Sequence, residues 1–173
     1  MTRILDDRSL DSLFRAARSC RVWLDKPVSD AIIEALWELA KLPPTSTGAY
    51  PARILFIRSL EAKQQLLPAL AAEDRASAAA APVNAILGYD TAAGAGALRD
   101  ATLQAGYLIL AARAIGLDCA PIALADVARV ERKFFSGGGG VKGSFVCNLG
   151  YGDPGTAEDL TPRPGFEQAC RIL

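Results

Sequence analysis

The stretch that most restricts the fold is 97–115, in which Leu98, Leu103, Tyr107, Leu108, Leu110, Ala111 and Ile115 make a helix apolar around most of its circumference. Such a helix has to be buried on several sides, so it is expected to be the central one. Gly116 follows it at the C′ position, where a residue without a Cβ ends a helix most readily. A length of 173 residues supplies one core of this kind, so a single domain spanning 1–173 is expected.

The other elements can be read around that helix. Apolar spacing predicts a helix over 10–17 and a second over 30–42, the latter capped by Ser29, stapled by Val28 and stopped by Pro43-Pro44. Ser59 caps a helix over 60–70, an alanine-rich helix follows over 71–81, and a charged amphipathic helix covers 125–135. A short last helix is read over 166–171. Apolar runs at 53–58, 83–89 and 144–151 read as strands, with a short extended piece at 117–122 containing Pro121. Strands separated by helices, without a hairpin signal, predict a layered sheet flanked by helices. This pattern leaves parallel and antiparallel pairing open.

The composition removes whole classes of chemistry. There is no histidine, so Ser-His-Asp and Cys-His machinery, His-ligated zinc and an imidazole proton shuttle are all excluded. Nineteen basic and 19 acidic side chains cancel, which argues against an extended nucleic-acid surface. No apolar run reaches the ~18 residues of a membrane span, and the first residues lack the apolar core of a signal peptide. A soluble cytoplasmic protein is expected. Cys20, Cys119, Cys147 and Cys170 are widely spaced and read as reduced, mostly buried thiols.

Several local patterns carry possible chemistry. Gly138-Gly139-Gly140-Val141-Lys142-Gly143 matches a dinucleotide fingerprint in letters, but here a helix precedes and a strand follows, so it reads as a surface loop. Arg18-Ser19-Cys20-Arg21 brings two guanidinia and a hydroxyl together at a helix end, a set that suits a phosphate and equally suits the negative end of a helix dipole. Arg163, between Pro162 and Pro164, is either an aimed phosphate ligand or a solvated linker charge. Asp118, Asp126 and Asp153 sit at element ends and read as caps or turn residues. Cys119 reads as a core thiol, since no histidine can activate it.

Taken in order, Arg18-Ser19-Cys20-Arg21, Pro44-Thr45-Ser46 ahead of Pro51-Ala52-Arg53, Gly116-Leu117-Asp118-Cys119-Ala120-Pro121-Ile122 and Asn148-Leu149-Gly150-Tyr151-Gly152-Asp153 resemble the FMN-dependent nitroreductase family. Within it, the malonic semialdehyde reductase-like group has segments similar to Asp25-Lys26-Pro27-Val28-Ser29-Asp30 and to the closing Phe166-Glu167-Gln168-Ala169-Cys170-Arg171-Ile172-Leu173. The resemblance implies an α+β sandwich around a mainly antiparallel sheet, an intertwined homodimer, and FMN at the subunit interface. It implies flavin contacts from Arg18, Ser19 and Arg21, from Thr45, Ser46 and Thr47 of the partner copy's loop, from Pro121 and Ile122, and from Arg163. The implied activity is NAD(P)H-dependent reduction of a small nitro compound, quinone or semialdehyde by ping-pong hydride transfer, with no catalytic side chain identified.

Departures from the family pattern define an alternative. Gly48 stands where the family usually has Asn, and Asp74-Arg75-Ala76-Ser77 stands where an Asn and a Lys approach the ring. Ala123 and Leu124 replace a polar residue and a Gly, raising the prospect of a leucine crowding the ring. The segment that covers the substrate in the family is missing between Asp90 and the central helix. The alternative is a degenerate dimer of this fold that holds no flavin and acts as a binding or interaction protein.

Overall fold

Four strands pair into one sheet: β1 (Ala52–Ile57), β2 (Val83–Asp90), β3 (Asp118–Ala123) and β4 (Val141–Gly150). The order is β1-β2-β4-β3, and every neighbouring pair is antiparallel, which resolves the question that the strand pattern leaves open. The computed structural model describes residues 4–46, 48–137, 139–156 and 161–173; Thr47 and Gly138, both singled out above, lie outside the described residues.

Strand alternation sends side chains to two separate cores. On one face Val83, Ala85 and Leu87 of β2 pack with Cys119, Cys147 and Leu149 against α2 (Asp30–Ala40) and α5 (Ala97–Ala114), through Leu36, Ala105, Leu108 and Ala112. On the other face Ile57, Ile86 and Val146 meet Leu66 of α3 (Leu60–Leu66), Ala78 of α4 (Ala72–Ala80) and Val130 of α6 (Val127–Phe134). The sheet is therefore covered by helices on both sides, an α+β architecture. Ser29 and Ser59 cap α2 and α3 as read, accepting from the Ile32 and Ala62 amides, and Gly116 adopts φ +82° at the end of α5.

Several boundaries differ from the sequence reading for local physical reasons. The first helix begins earlier: α1 covers Asp7–Leu10 because the Asp6 carboxylate, upstream of any apolar repeat, accepts from the Ser9 amide at 2.8 Å. It continues into a π-helical stretch, Asp11–Arg15, closed by Ala16 N–H to Asp11 at 2.9 Å. The 60–70 helix breaks into α3 and a 3₁₀ turn, Leu67–Ala69, since Pro68 has no N–H to give the ladder. β4 starts three residues early because Val141, Lys142 and Gly143 pair with Asp90, Tyr89 and Gly88. The last helix, α7, is one short turn, Phe166–Ala169.

The central helix is covered on only one side within a single chain. Ala97, Ala101, Ala105, Leu108, Ala111 and Ala112 are buried, whereas Leu98, Leu103 and Tyr107 are exposed, as are Trp37, Leu39 and Leu42 along and just after α2. The tail over 161–173 is exposed throughout, with Phe166, Ile172 and Leu173 presented to solvent. No helix among the described residues is long and apolar enough to cross a membrane.

One close approach joins the sheet to the chain that runs past its edge. A Cβ built on Gly150 would sit 2.5 Å from Pro82 Cδ and 3.0 Å from the Trp23 ring. A proline ring cannot swing aside, so Gly150→Ala should cost about 1–3 kcal/mol or more. A lowered denaturation midpoint with unchanged slope would show it.

Candidate functional site

β3 is one of the two outer strands of the sheet, and the chain that follows the first helix meets its open side at Cys119 before running on past residues 151–153. Ser19 forms a parallel bridge with Cys119, and Trp23 bridges Gly152. Leu24 N–H donates to Tyr151 at 2.8 Å and Asp153 N–H donates to Val22 at 3.0 Å. The Asp118 carboxylate accepts from the Gly152 amide at 2.8 Å, and Asp153 from the Gly155 amide at 2.9 Å, so both acids serve turns as read. Asp126 likewise caps α6, accepting from Arg129 N–H at 2.8 Å. Past Cys119 the open side is next bridged at Leu124, by Leu70. Residues 120–123 therefore have no strand alongside them there among the described residues.

The predicted phosphate ligands stand at one end of this gap. Arg18 is half-buried and its Nη1 donates to the carbonyls of Arg15 (2.9 Å) and Ala17 (3.1 Å). With Ser19 it lines a small cleft of about 120 Å³ that also takes in Asp118, Gly152 and Pro154. A neighbouring cleft of about 370 Å³ runs on from Arg18 to Arg113, near the end of α5. Arg21 reaches toward α4, where its Nη1 lies 3.2 Å from the Asp74 carboxylate. One turn further along, Ser77 Oγ accepts from Trp23 Nε1 at 3.2 Å. Two of the departures from the family pattern, Asp74 and Ser77, thus hold α4 against the 18–24 segment. The only hint was that both face one way on a helix, three residues apart. Arg75 turns to the Leu70 carbonyl at 3.1 Å.

Leu124 does not crowd the open edge. Its Cδ1 lies beside Val127 and Val130 over Gly143, on the face of the sheet, and it packs with the second core. Pro121 and Ala123 are exposed and Ile122 half-buried. Arg163 stands in exposed coil without a hydrogen bond or ion pair among the described residues, so a single chain does not bring it to Arg18. The glycine-rich turn after α6 is a structural loop: Gly140 O accepts from the Thr91 amide and hydroxyl at 3.0 and 2.7 Å.

The Thr45-Ser46 loop lies elsewhere. Ser46 donates its amide (3.1 Å) and hydroxyl (2.7 Å) to one oxygen of Asp100, a carboxylate in the first turn of α5 whose residue is only 6% exposed. These bonds, the hydroxyl's first, hold Asp100 below the usual aspartate range, with Arg99 adding to the effect. The Thr45 hydroxyl is buried without a partner. Sequence reading missed Asp100, whose one signal is an acid embedded in an apolar helix. From Asp100 to Arg113 is thirteen residues of α5, or about 20 Å at helical rise, so the loop and the arginines sit at opposite ends of one helix.

The thiols follow the buried reading in three cases of four: Cys20, Cys119 and Cys147 are buried and free, while Cys170 in the tail is exposed. Burial pushes the Cys20 thiol up, which is the opposite of what a nucleophile needs.

Comparison with known proteins agrees with this architecture. The description "Nitroreductase family" matches residues 14–84. A protein of Ralstonia nicotianae named as an NADH dehydrogenase/NAD(P)H nitroreductase is 40% identical, with 98% of each chain covered. That alignment runs to 193 positions against 173 residues here, so at least 20 positions of the relative have no counterpart. Among solved structures, a nitroreductase in complex with FMN from Exiguobacterium sibiricum superposes with a TM-score of 0.85 at 20% identity, covering 100% of both chains. CLA-ER, a gut-bacterial enone reductase, superposes with a TM-score of 0.86 at 13% identity, covering 98% of this chain and 100% of its own.

The Asp100 clamp should register in acid. A carboxyl whose folded value is depressed contributes stability above its unfolded value and loses it as pH falls through the folded one. Unfolding midpoints of the wild type should therefore drop steeply below about pH 4. Asp100→Asn should flatten that acid limb; an unchanged limb would remove Asp100 from the account.

Proposed function

Because the chain belongs to the nitroreductase family, we propose that it is an FMN-dependent NAD(P)H oxidoreductase that reduces a small electrophile, a nitro compound, quinone or semialdehyde, by ping-pong hydride transfer. The observation that carries this reading is the donor set of Arg18 and Ser19 beside an open stretch of β3 that no side chain of Leu124 fills.

The residues present fit an anionic group joined to a flat ring. Arg18 and Ser19 offer forked and hydroxyl donors for a terminal phosphate, and Arg21 adds charge that it shares with Asp74. Main-chain groups of 120–123 are what the edge would offer a ring, with the Pro121 and Ile122 side chains on opposite faces of the strand. When bound, FMN supplies the ring that takes up hydride from NAD(P)H and hands it to the second substrate. A chain without histidine then contributes placement, local charge and exclusion of water.

Two copies complete the site in this reading. The exposed apolar stripe of Leu98, Leu103, Tyr107, Trp37 and Leu39 is the surface that a homodimer would cover. In a two-fold pair with antiparallel α5 helices, one copy's Thr45-Ser46 loop meets the Arg18 end of the other, because the two lie at opposite ends of the same helix. Thr47 of that loop and Arg163 from the exposed tail join in the same way. We assign the malonic semialdehyde reductase-like group by the segments named above, with a semialdehyde as the first substrate to try.

A second reading, a flavin-free dimer acting as a binding protein, is favoured by the Arg21–Asp74 pair, since a half-buried acid (Asp74, side chain 15% exposed) already answers one of the two arginines. An absorbance spectrum separates the readings. Under the first, the protein takes up FMN stoichiometrically and Arg18→Ala weakens retention by about 10–100-fold, the value of a charged hydrogen bond. Asp74→Asn should tighten it by removing the competing charge. A colourless dimer indifferent to added FMN would sink the flavoenzyme.

A further inference from the structure

A cavity of about 650 Å³ opens between the 23–28 segment, the last turn of α4 and the start of β2. No residue assigned to the flavin lines it. Its polar feature is Lys63 of α3, only 8% exposed, whose ammonium donates to the carbonyls of Ala79 (3.1 Å) and Ala81. Those carbonyls belong to the C-terminal end of α4, where a cation is welcome. They use two of the three N–H donors and leave a full positive charge without a carboxylate.

The neighbours do not supply one. Arg58 is held by Asp30 at 2.5 Å and by the Val28 carbonyl at 3.3 Å, and Lys26 lies over the Tyr151 ring, 3.6 Å from its centre. Burial alone pulls the Lys63 ammonium below the usual lysine range, and among the described residues no acid, Asp25 at the rim included, forms an ion pair with it. A buried ammonium ordinarily keeps a counter-ion, because removing it from water unpaired is costly. Here the space beside it is open and walled by Trp23, Val28 and Pro82.

We infer that this cavity is a second ligand site, for a small monocarboxylate with an apolar body, whose carboxylate takes the third N–H of Lys63 while the body lies on Trp23, Val28 and Pro82. A single remaining donor and one net charge match a carboxylate. A phosphate dianion would call for the forked donors that Arg58 has already committed. The assignment does not depend on the flavin reading.

The test uses the full chain with Trp37→Phe, which leaves Trp23 as its one indole. Benzoate should change Trp23 fluorescence saturably, whereas benzyl alcohol and inorganic phosphate should not. Lys63→Met keeps the apolar stem without the charge and should weaken benzoate about tenfold or more. In the unsubstituted protein, benzoate should also raise the titration midpoint of the Lys63 ε-methylene signal in NMR, so the proposal is decided even where the methionine variant does not fold. No saturable response, an equal response to benzyl alcohol or phosphate, unimpaired binding by a folded Lys63→Met protein, or a Lys63 titration that benzoate leaves in place would each overturn it.

Discussion

The position of β3 at the margin of the sheet, with the 18–24 segment bridged to it at Cys119 and tied beyond it to residues 151–153, governs everything else about this molecule. Backbone pairs at Ser19 and Trp23, and amides exchanged with Tyr151 and Asp153, tie that segment at several points. Side chains from α4 then hold it from the other flank: Asp74 with Arg21, Ser77 with Trp23. What remains is a gap four residues long, with arginine and hydroxyl donors at one end. A site of this kind costs little additional order, because the main chain that frames it is already bound on both sides.

Local grammar was readable in the sequence, and pairing between distant segments was not. Ser29, Ser59 and Gly116 act over three or four residues, so their caps and stops could be assigned from spacing alone. Asp6 escaped because an N-cap that precedes the apolar repeat has no periodicity to announce it. Strand direction escaped the apolar pattern, because helices separate the strands in either arrangement, and only the family resemblance implied the antiparallel sheet that the pairing shows. The Arg18-Ser19-Cys20-Arg21 and Pro-Ile motifs lie at one edge, yet the partners of Arg21, Trp23 and Ser46 are more than fifty residues away. Replacements that look like losses in a linear comparison, Asp74 and Ser77, prove to be fastenings. Leu124, which looked like an obstruction, lies on the sheet's face because the bridge to Leu70 directs the chain there.

The central helix shows how one element can be satisfied by two different solvents. Its alanine-rich side is pressed into the sheet, while its leucine and tyrosine side is left for another surface. Asp100 and Arg113 hold groups at its two ends, so the helix also sets the distance between loop and arginines. Burial on several sides, expected from the sequence, is only half met by one chain, and the proposed pairing of two copies accounts for the remainder.

Pro121 gives the open edge a further property. An uncovered strand is a template on which other molecules add strands of their own, and proteins blunt such margins with residues that cannot extend a ladder. Proline tolerates an outermost strand because the missing donor then faces away from its neighbour. Here it sits in the middle of the four uncovered residues, paired inward with Cys147. The same ring that would lie beside a ligand thus interrupts the row of donors that would otherwise recruit a foreign strand, so the open edge is guarded against fibre-like growth by the residue that shapes it.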